Sequence, residues 1–293
     1  MKIIIYGAGF IGTHLEKNLA ADHEVVLLKT NITSKEDIER DVENFGAQVI
    51  VNCAGKTGKP NIDWCEDHKK ETLDSNVLGP IVLSDISQAK GIRLIHVSSG
   101  CIYQGDNGGK GFSELDAPNF CGSFYSRTKI WAEEYLVSNP HSCILRLRMP
   151  ITAYPNPKNF ITKIVGYEKV ISVENSVTII EDLFRVIRVA IEKNLSGVYN
   201  VTNPYPITHK EILDMYKEIV DPSFTYNIMS LEELKKYAKA PRSNCVLNTD
   251  KLSQVIQLDD SRVALRKVLE EYKLHFKEMQ GKKEGINDSC FCG

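Results

Sequence analysis

A glycine turn near residue 7 constrains the fold of this chain more than any other feature. Gly7-Ala8-Gly9-Phe10-Ile11-Gly12 follows directly on the apolar run Ile3-Ile4-Ile5-Tyr6. So short an apolar run predicts a buried strand, with a helix beginning near Phe10. Gly7 permits the tight turn, Gly9 lets the backbone approach a pyrophosphate, and Gly12 lets helix and strand pack closely. The helix N-terminus then offers free N–H groups and a partial positive charge to phosphates. Phe10 and Ile11 join the glycines as expected cofactor contacts. A glycine turn without a ligand is the alternative.

The first half of the chain alternates strand and helix. Strands are expected at Lys2–Tyr6, Glu24–Leu28, Gln48–Asn52, Ile92–Ser98 and Ser142–Leu147, with helices near 10–21, 34–45, 66–89 and 123–138. This alternation predicts an α/β fold: a Rossmann-type doubly wound parallel sheet with helices on both faces. After Pro150 the character changes. Residues 1–150 read as the dinucleotide-binding domain, 151–277 as a smaller C-terminal substrate-binding lobe, and 177–202 as returning to the main sheet. The polar stretch 278–293 reads as a disordered tail, and Gly105–Gly111 as a flexible loop. Ligands of such sheets sit at the carboxyl ends of the strands. Gly7–Gly12, Asn52–Lys56 and Ser98–Cys101 all fall there.

Composition narrows the class. A net charge of −2 with 25% charged residues gives no sign of a nucleic-acid or membrane surface. No apolar run approaches membrane-spanning length. The eight cysteines lack CxxC spacing, as expected of reduced thiols in a cytoplasmic protein. Cys65-Glu66-Asp67-His68 has metal-ligand residue types. Four consecutive helical residues cannot converge on one ion, so no metal site is expected.

The second expected strand ends in Lys29-Thr30, where an NAD site would place an acid for the ribose 2′-hydroxyl. A base there welcomes a 2′-phosphate, so NADP(H) is expected, with Asn31 and Ile32 as further contacts. A simply solvated lysine is the alternative.

Tyr125 and Lys129 lie at i and i+4, on one face of a helix. A neighbouring ammonium and an oxidised nicotinamide would favour the phenolate and lower the tyrosine from its usual value of about 10. Tyr125 can then donate a proton to a carbonyl oxygen as hydride arrives. Ser99 can donate a second hydrogen bond to the same oxygen.

These motifs, with Asn52-Cys53-Ala54-Gly55 and Asn76, resemble the extended short-chain dehydrogenase/reductase family. Longer segments go further: Thr57–Glu66, Pro118–Ser126, Arg146–Ile151, Asn159–Ile164 and Ala240–Asn244. They look like the bifunctional epimerase/reductase family of UDP-L-rhamnose synthesis, over roughly residues 3–277. The resemblance implies inversion of C3 and C5 of UDP-4-keto-6-deoxy-glucose, followed by NADPH-dependent reduction of its C4 ketone. By position, Ser99, Tyr125 and Lys129 would be the reductase residues, and Cys101 and Lys163 the epimerase acid–base pair. Cys53, Ala54, Gly55 and Asn76 would contact the cofactor. Lys56, Thr57, Ser99, Gly100, Cys101, Asn159, Lys163 and Arg242 would contact the substrate, Arg242 at its pyrophosphate. A homodimer is expected. Without the resemblance, Cys101 reads as a packed small hydrophobe and Lys163 as a solvated lysine. Two other readings stay open: a reductase only, similar to dTDP-4-dehydrorhamnose reductase, and a non-catalytic regulatory subunit of the same fold.

Overall fold

A computed structural model describes residues 1–288 of the protein. Its centre is a six-stranded, wholly parallel sheet. The strands β1 (Lys2–Tyr6), β2 (Glu24–Leu28), β3 (Val49–Asn52), β4 (Arg93–Ser99) and β5 (Ser142–Leu147) are joined by Gly197–Asn200. The spatial order is Gly197–Asn200, β5, β4, β3, β1, β2. The strand Gly197–Asn200 closes one edge of the sheet.

Alternation of side chains explains why these apolar runs become strands covered on both faces. Ile3, Ile5, Val49 and Val51 pack against helix α1 (Phe10–Leu19) and the helix Ile180–Glu192 through Leu15, Leu19, Leu183 and Ile187. Ile4, Tyr6 and Ile50 face the other way, onto Ile38 and Val42 of α2 (Lys35–Phe45) and onto Leu83 and Ile86 of the helix Gly79–Lys90. The expected helix over 66–89 is broken. Short turns at Trp64–Asp67 and Lys69–Leu73 lead into a π-helical turn, Asp74–Leu78, before Gly79–Lys90 begins. The wider turn brings Asn76 into a buried network described below.

The second lobe has a core of its own. Ile151, Ile161, Ile164, Val170, Ile207, Leu213, Tyr216, Leu265, Leu269 and Tyr272 form it. Its helices are Phe160–Ile164, His209–Ile219 and Ser261–Asp288. Two-residue strands tie it together: Pro150–Ile151 with Thr178–Ile179, Glu174–Asn175 with Ile207–Thr208, and Lys169–Val170 with Asn227–Ile228. The final helix runs on to Asp288, into the stretch read from sequence as a disordered tail. No proline between Ser261 and Asp288 stops it. Residues 289–293 of that expected tail, with Cys290 and Cys292, lie outside the described residues. The glycine-rich loop 105–111 is pinned at both ends, by Gly105 N–H to Asn244 O (2.8 Å) and Phe112 N–H to Val246 O (2.9 Å).

The helix Phe124–Leu136 is bolted to β5 by a buried ion pair. Arg146 Nε donates to both oxygens of Glu133, at 3.0 and 3.1 Å, and both residues are buried. Arg146 Nη1 also donates to the Tyr103 hydroxyl at 3.0 Å. Glu133→Ala should leave a buried, uncompensated guanidinium and cost about 3–5 kcal/mol. The measurement is the chemical denaturation midpoint. The double change Glu133→Leu/Arg146→Met should recover most of the loss. Equal midpoints for wild type and Glu133→Ala would show that the pair is not structural.

Candidate active site

A cleft of about 510 Å³ opens between the sheet and the smaller lobe. It lies at the carboxyl ends of β1, β3, β4 and β5, where a parallel sheet presents its loops and helix N-termini. Gly9, Phe10, Ile11, Cys53, Ala54, Gly55, Thr57, Ser99, Cys101, Tyr125, Lys129, Lys163 and Arg242 all line it. Of the residues expected from sequence, Gly7, Gly12, Lys29, Asn31, Ile32, Lys56, Asn76, Gly100 and Asn159 do not.

The glycine turn is built in two parts. Gly7 has φ +101°, and a Cβ there would lie 2.4 Å from Ala54 N. A Cβ on Gly12 would meet the Gly7 carbonyl at 2.1 Å. These two glycines let β1, β3 and α1 converge. Gly9 differs: a Cβ there would meet nothing within 4 Å, so the space beside it is open to the cleft. Gly9 is the N-cap of α1, whose first turn carries no acidic side chain. Bare N–H groups, an open backbone face and a helix dipole suit a diphosphate, so the residues present fit a dinucleotide cofactor. Lys29 is exposed just past β2. Asp41, an acid near this strand end, accepts a hydrogen bond from Thr30 at 2.6 Å. Asn31 caps its own turn by accepting from Thr33 N (3.2 Å) and Oγ1 (3.0 Å), and Ile32 packs into the core against Gly79.

The loop after β3 is held from below. Asn52 Oδ1 accepts from Ala54 N at 2.9 Å, and its Nδ2 meets His96 Nδ1 at 3.0 Å. Asn76 Oδ1 accepts from Lys56 N (2.7 Å), while its Nδ2 donates to Lys56 O (3.0 Å) and Thr128 Oγ1 (3.2 Å). Asn76 is therefore a clamp on the loop rather than a cleft contact. Burial pushes the Cys53 thiol up to about 12, so Cys53 behaves as an apolar wall.

Ser99, Cys101, Tyr125 and Lys129 come together at the cleft floor. The Cys101 main chain is fixed at both ends: its N–H donates to Ser99 Oγ (3.1 Å), and its carbonyl accepts from Ser126 Oγ (2.6 Å). Ser126 sits in the first turn of the helix Phe124–Leu136, capped by Ser123 Oγ at 3.0 Å. Tyr125 immediately precedes Ser126 and Lys129 follows three residues after it, both buried. Lys129 Nζ donates to Val97 O at 3.4 Å. Burial pushes its ammonium down to about 8, against the charges of Glu133 and Cys101, which raise it. For Tyr125 the expectation from sequence needs correction. Burial, and next the negative charge of Cys101, push its phenol above the usual range, with the Ser99 hydroxyl and the Arg148 charge opposing. Burial outweighs the opposing Arg148 charge, so the enclosed phenol stays protonated. That suits a proton donor better than a phenolate would.

The opposite wall carries the lobe's groups. Lys163 lies on the helix Phe160–Ile164, and burial, then Lys158, lower its ammonium. Asn159 is fully buried: its Oδ1 caps that helix at Ile161 N (3.2 Å), and its Nδ2 donates to Thr152 O (2.8 Å) and Tyr154 O (3.0 Å). It positions Lys163 and makes no cleft contact. Arg242 forms a forked pair with Asp63, Nη1–Oδ1 and Nη2–Oδ2 both 2.7 Å. Burial would raise the Asp63 carboxyl, but Arg242 and the backbone N–H groups of Ala240 and Lys239 hold it below the usual range. Gly100 makes room rather than contact: a Cβ there would meet Leu247 Cδ1 at 2.6 Å and Arg148 Cδ at 3.0 Å. Sequence reasoning gave no role to Arg148, Lys158 or His209, which also line the cleft. Arg148 lies within one of the quoted segments and Lys158 beside another, while His209 lies near none of them. Among the described residues no cluster of metal-ligating side chains occurs, and no helix is long and apolar enough to cross a membrane.

The sequence matches the family described as RmlD substrate binding domain over residues 1–274. A bifunctional dTDP-4-dehydrorhamnose 3,5-epimerase/dTDP-4-dehydrorhamnose reductase of Arabidopsis thaliana is 45% identical over 259 residues, covering 86% of this chain and 86% of that protein. A trifunctional UDP-glucose 4,6-dehydratase/UDP-4-keto-6-deoxy-D-glucose 3,5-epimerase/UDP-4-keto-L-rhamnose reductase of the same plant is 39% identical over 264 residues. That alignment covers 87% of this chain but 39% of the longer protein. A solved structure, the UDP-rhamnose synthase of Acanthamoeba polyphaga mimivirus, is similar with a TM-score of 0.89 at 34% identity, covering 92% of this chain and 99% of its own. Sequence match and structural likeness both span the sheet, the cleft and the smaller lobe, and the chain belongs to the RmlD substrate-binding-domain family.

Proposed function

We propose that this chain reduces the C4 ketone of a nucleotide-linked 4-keto-6-deoxy sugar with NADPH, after inverting C3 and C5 in the same cleft. The observation that carries this reading is the placement of Ser99, Tyr125 and Lys129 beside Cys101, on the cleft that also holds Lys163 and the open glycine turn. The relatives' activities point the same way: a bifunctional epimerase/reductase and a UDP-rhamnose synthase. UDP is favoured over dTDP by the UDP-rhamnose synthase and by the trifunctional UDP-sugar enzyme.

Gly9, Phe10 and Ile11 would hold the cofactor's diphosphate, Cys53, Ala54 and Gly55 would border it, and Lys29 would meet a 2′-phosphate. Bound NADPH supplies the hydride. The chain supplies the rest. The Ser99 Oγ accepts from the Cys101 N–H, which leaves the Ser99 proton for the C4 oxygen. Tyr125 gives its phenolic proton to the same oxygen as the alkoxide forms. For epimerisation, the ketone acidifies the C3 and C5 hydrogens. Cys101 takes the proton from carbon, the electron pair moves onto the C4 oxygen, and Ser99 and Tyr125 stabilise the enolate. Lys163 returns a proton on the opposite face. One oxygen-binding site serves both reactions. Arg242 would turn from Asp63 toward the substrate diphosphate. The proposed assembly is a cytoplasmic homodimer.

Tyr125→Phe should fold and bind NADPH, yet reduce the 4-keto sugar about 10²-fold more slowly or worse, the usual scale for a lost general acid. Stopped-flow oxidation of NADPH measures it, and a near wild-type rate would remove Tyr125 from this role.

The pH profile has a defined sign. Tyr125 stays protonated past the usual tyrosine range, whereas the Lys129 ammonium is pushed down to about 8. At saturating NADPH, kcat/KM for the sugar should fall as pH rises through about 8. Lys129→Met should abolish that alkaline limb and lower the plateau. A limb unchanged in Lys129→Met belongs to another group.

In D2O without NADPH, wild type should move solvent deuterium into C3 and C5 of UDP-4-keto-6-deoxy-glucose, read by NMR. Cys101→Ala or Lys163→Ala should lose exchange at one carbon or both, and still reduce an already epimerised 4-keto sugar. Normal exchange in Cys101→Ala would leave a reductase only.

A further inference from the structure

Arg148 follows the end of β5 and is 2% exposed, yet its guanidinium reaches no carboxylate among the described residues. Nη1 donates to Cys101 Sγ at 2.7 Å and to Ser243 Oγ at 3.3 Å. Nη2 donates to Asn175 Oδ1 at 2.6 Å and to Ser243 O at 3.1 Å. A guanidinium keeps its charge in any protein. Burying it without a counter-charge is strongly destabilising. The contrast with Arg146, two residues earlier and paired with Glu133, is direct. Amide, hydroxyl and carbonyl oxygens accept from the Arg148 Nη groups but carry no charge, and the buried Nε has no partner among the described residues. Of the groups that Arg148 touches, the Cys101 sulfur alone can become an anion.

We propose that Arg148 is a positioning residue that holds Cys101 as its thiolate counter-ion and aims that sulfur into the cleft. The catalytic use of the thiolate rests on the epimerase reading above; the ion pair itself does not. In that use the thiolate forms an S–H bond as the sugar C–H bond breaks, and the electron pair goes to the C4 oxygen as an enolate. Arg148 is braced from behind. Asn175 Oδ1 also accepts from Cys245 N at 3.0 Å, and Ser243 Oγ donates to Tyr103 O at 2.6 Å. The guanidinium therefore cannot swing away without breaking a buried network. Gly100 contributes by its missing Cβ, which would crowd the Arg148 stem.

Other titratable groups face this pair, and each can be assigned. Cys245 is buried, its thiol is raised by that burial, and its Sγ donates to Gly100 O at 3.2 Å, so it remains a neutral thiol. Burial and then the Arg148 charge push His209 down to about 4, which keeps it neutral above that pH. Tyr125 stays protonated, and Lys129, backed by Glu133, holds its charge below about 8. Lys163 faces the cleft from the other wall. Between roughly pH 5 and 7.5 the charge that Arg148 places against Cys101 is thus the main one that a variant at 148 removes.

The test is alkylation of the full-length chain by iodoacetamide across pH, with Cys101 read by peptide mass spectrometry. Wild-type Cys101 should react half-maximally at a pH below the value of about 8.5 for a free thiol. Arg148→Met should raise that midpoint by about one unit or more, and Arg148→Lys should fall between. NADPH binding and the thermal midpoint confirm that each variant is folded. At neutral pH, Arg148→Met should lose about tenfold or more of the deuterium exchange at C3 and C5, and recover part of it as pH rises. Reduction of an epimerised 4-keto sugar should change about threefold or less, since that step uses a protonated donor. A midpoint unmoved in folded Arg148→Met overturns the proposal. If that variant fails to fold, a wild-type midpoint at or above the free-thiol value overturns it alone. A shifted midpoint in a protein that exchanges no deuterium supports the ion pair and sinks the epimerase reading instead.

Discussion

The site depends on the buried pair between Arg146 and Glu133. β5 and the helix Phe124–Leu136 have no backbone bonds to one another, and the cleft floor is assembled from both. Arg146 grips the helix two turns beyond Tyr125 and one turn beyond Lys129, while Tyr103 and the Asp116 carbonyl continue the chain of bonds. Fixing the rotation of this helix aims Tyr125 and Lys129 at the cleft and sets Ser126 under the Cys101 carbonyl. A pair this buried contributes less net stability than its geometry suggests, because desolvation offsets attraction. Its value lies in defining one orientation.

The sheet was legible because parallel strands covered on both faces are nearly continuous apolar runs. Ile3–Tyr6 and Val49–Val51 could be nothing polar-faced, and the glycine turn is a local signal with a local cause. The smaller lobe was less legible. Its paired segments, such as Pro150–Ile151 with Thr178–Ile179, are two residues long and exist only through a distant partner. The π-helical turn at Asp74–Leu78 left no trace in periodicity, since it answers to tertiary bonds at Asn76.

Among site residues, those that act through main-chain geometry or helical spacing could be named: Gly9, Tyr125, Lys129. The backbone bonds of Asn76 and Asn159 are not legible in sequence, because a polar side chain beside a motif looks the same whether it faces a ligand or a backbone. Arg148 was missed for a related reason. Its partner Cys101 lies in another strand-end turn, 47 residues away, and only the sheet register makes them neighbours. The upward push that burial gives the Tyr125 phenol is also not legible in sequence. The i, i+4 lysine was visible, but the depth of burial was not.

The way Cys101 is held has a consequence for how such sites diversify. Its position is set by bonds to its own N–H and carbonyl, which every amino acid but proline offers. The thiol is therefore a replaceable part mounted on a fixed bracket. A single codon change at 101 would keep that bracket but leave the buried Arg148 guanidinium without the sulfur it touches, so the two positions are coupled. On the proposed reading, positions 101 and 148 together separate a one-reaction from a two-reaction catalyst, and the rest of the scaffold can stay as it is.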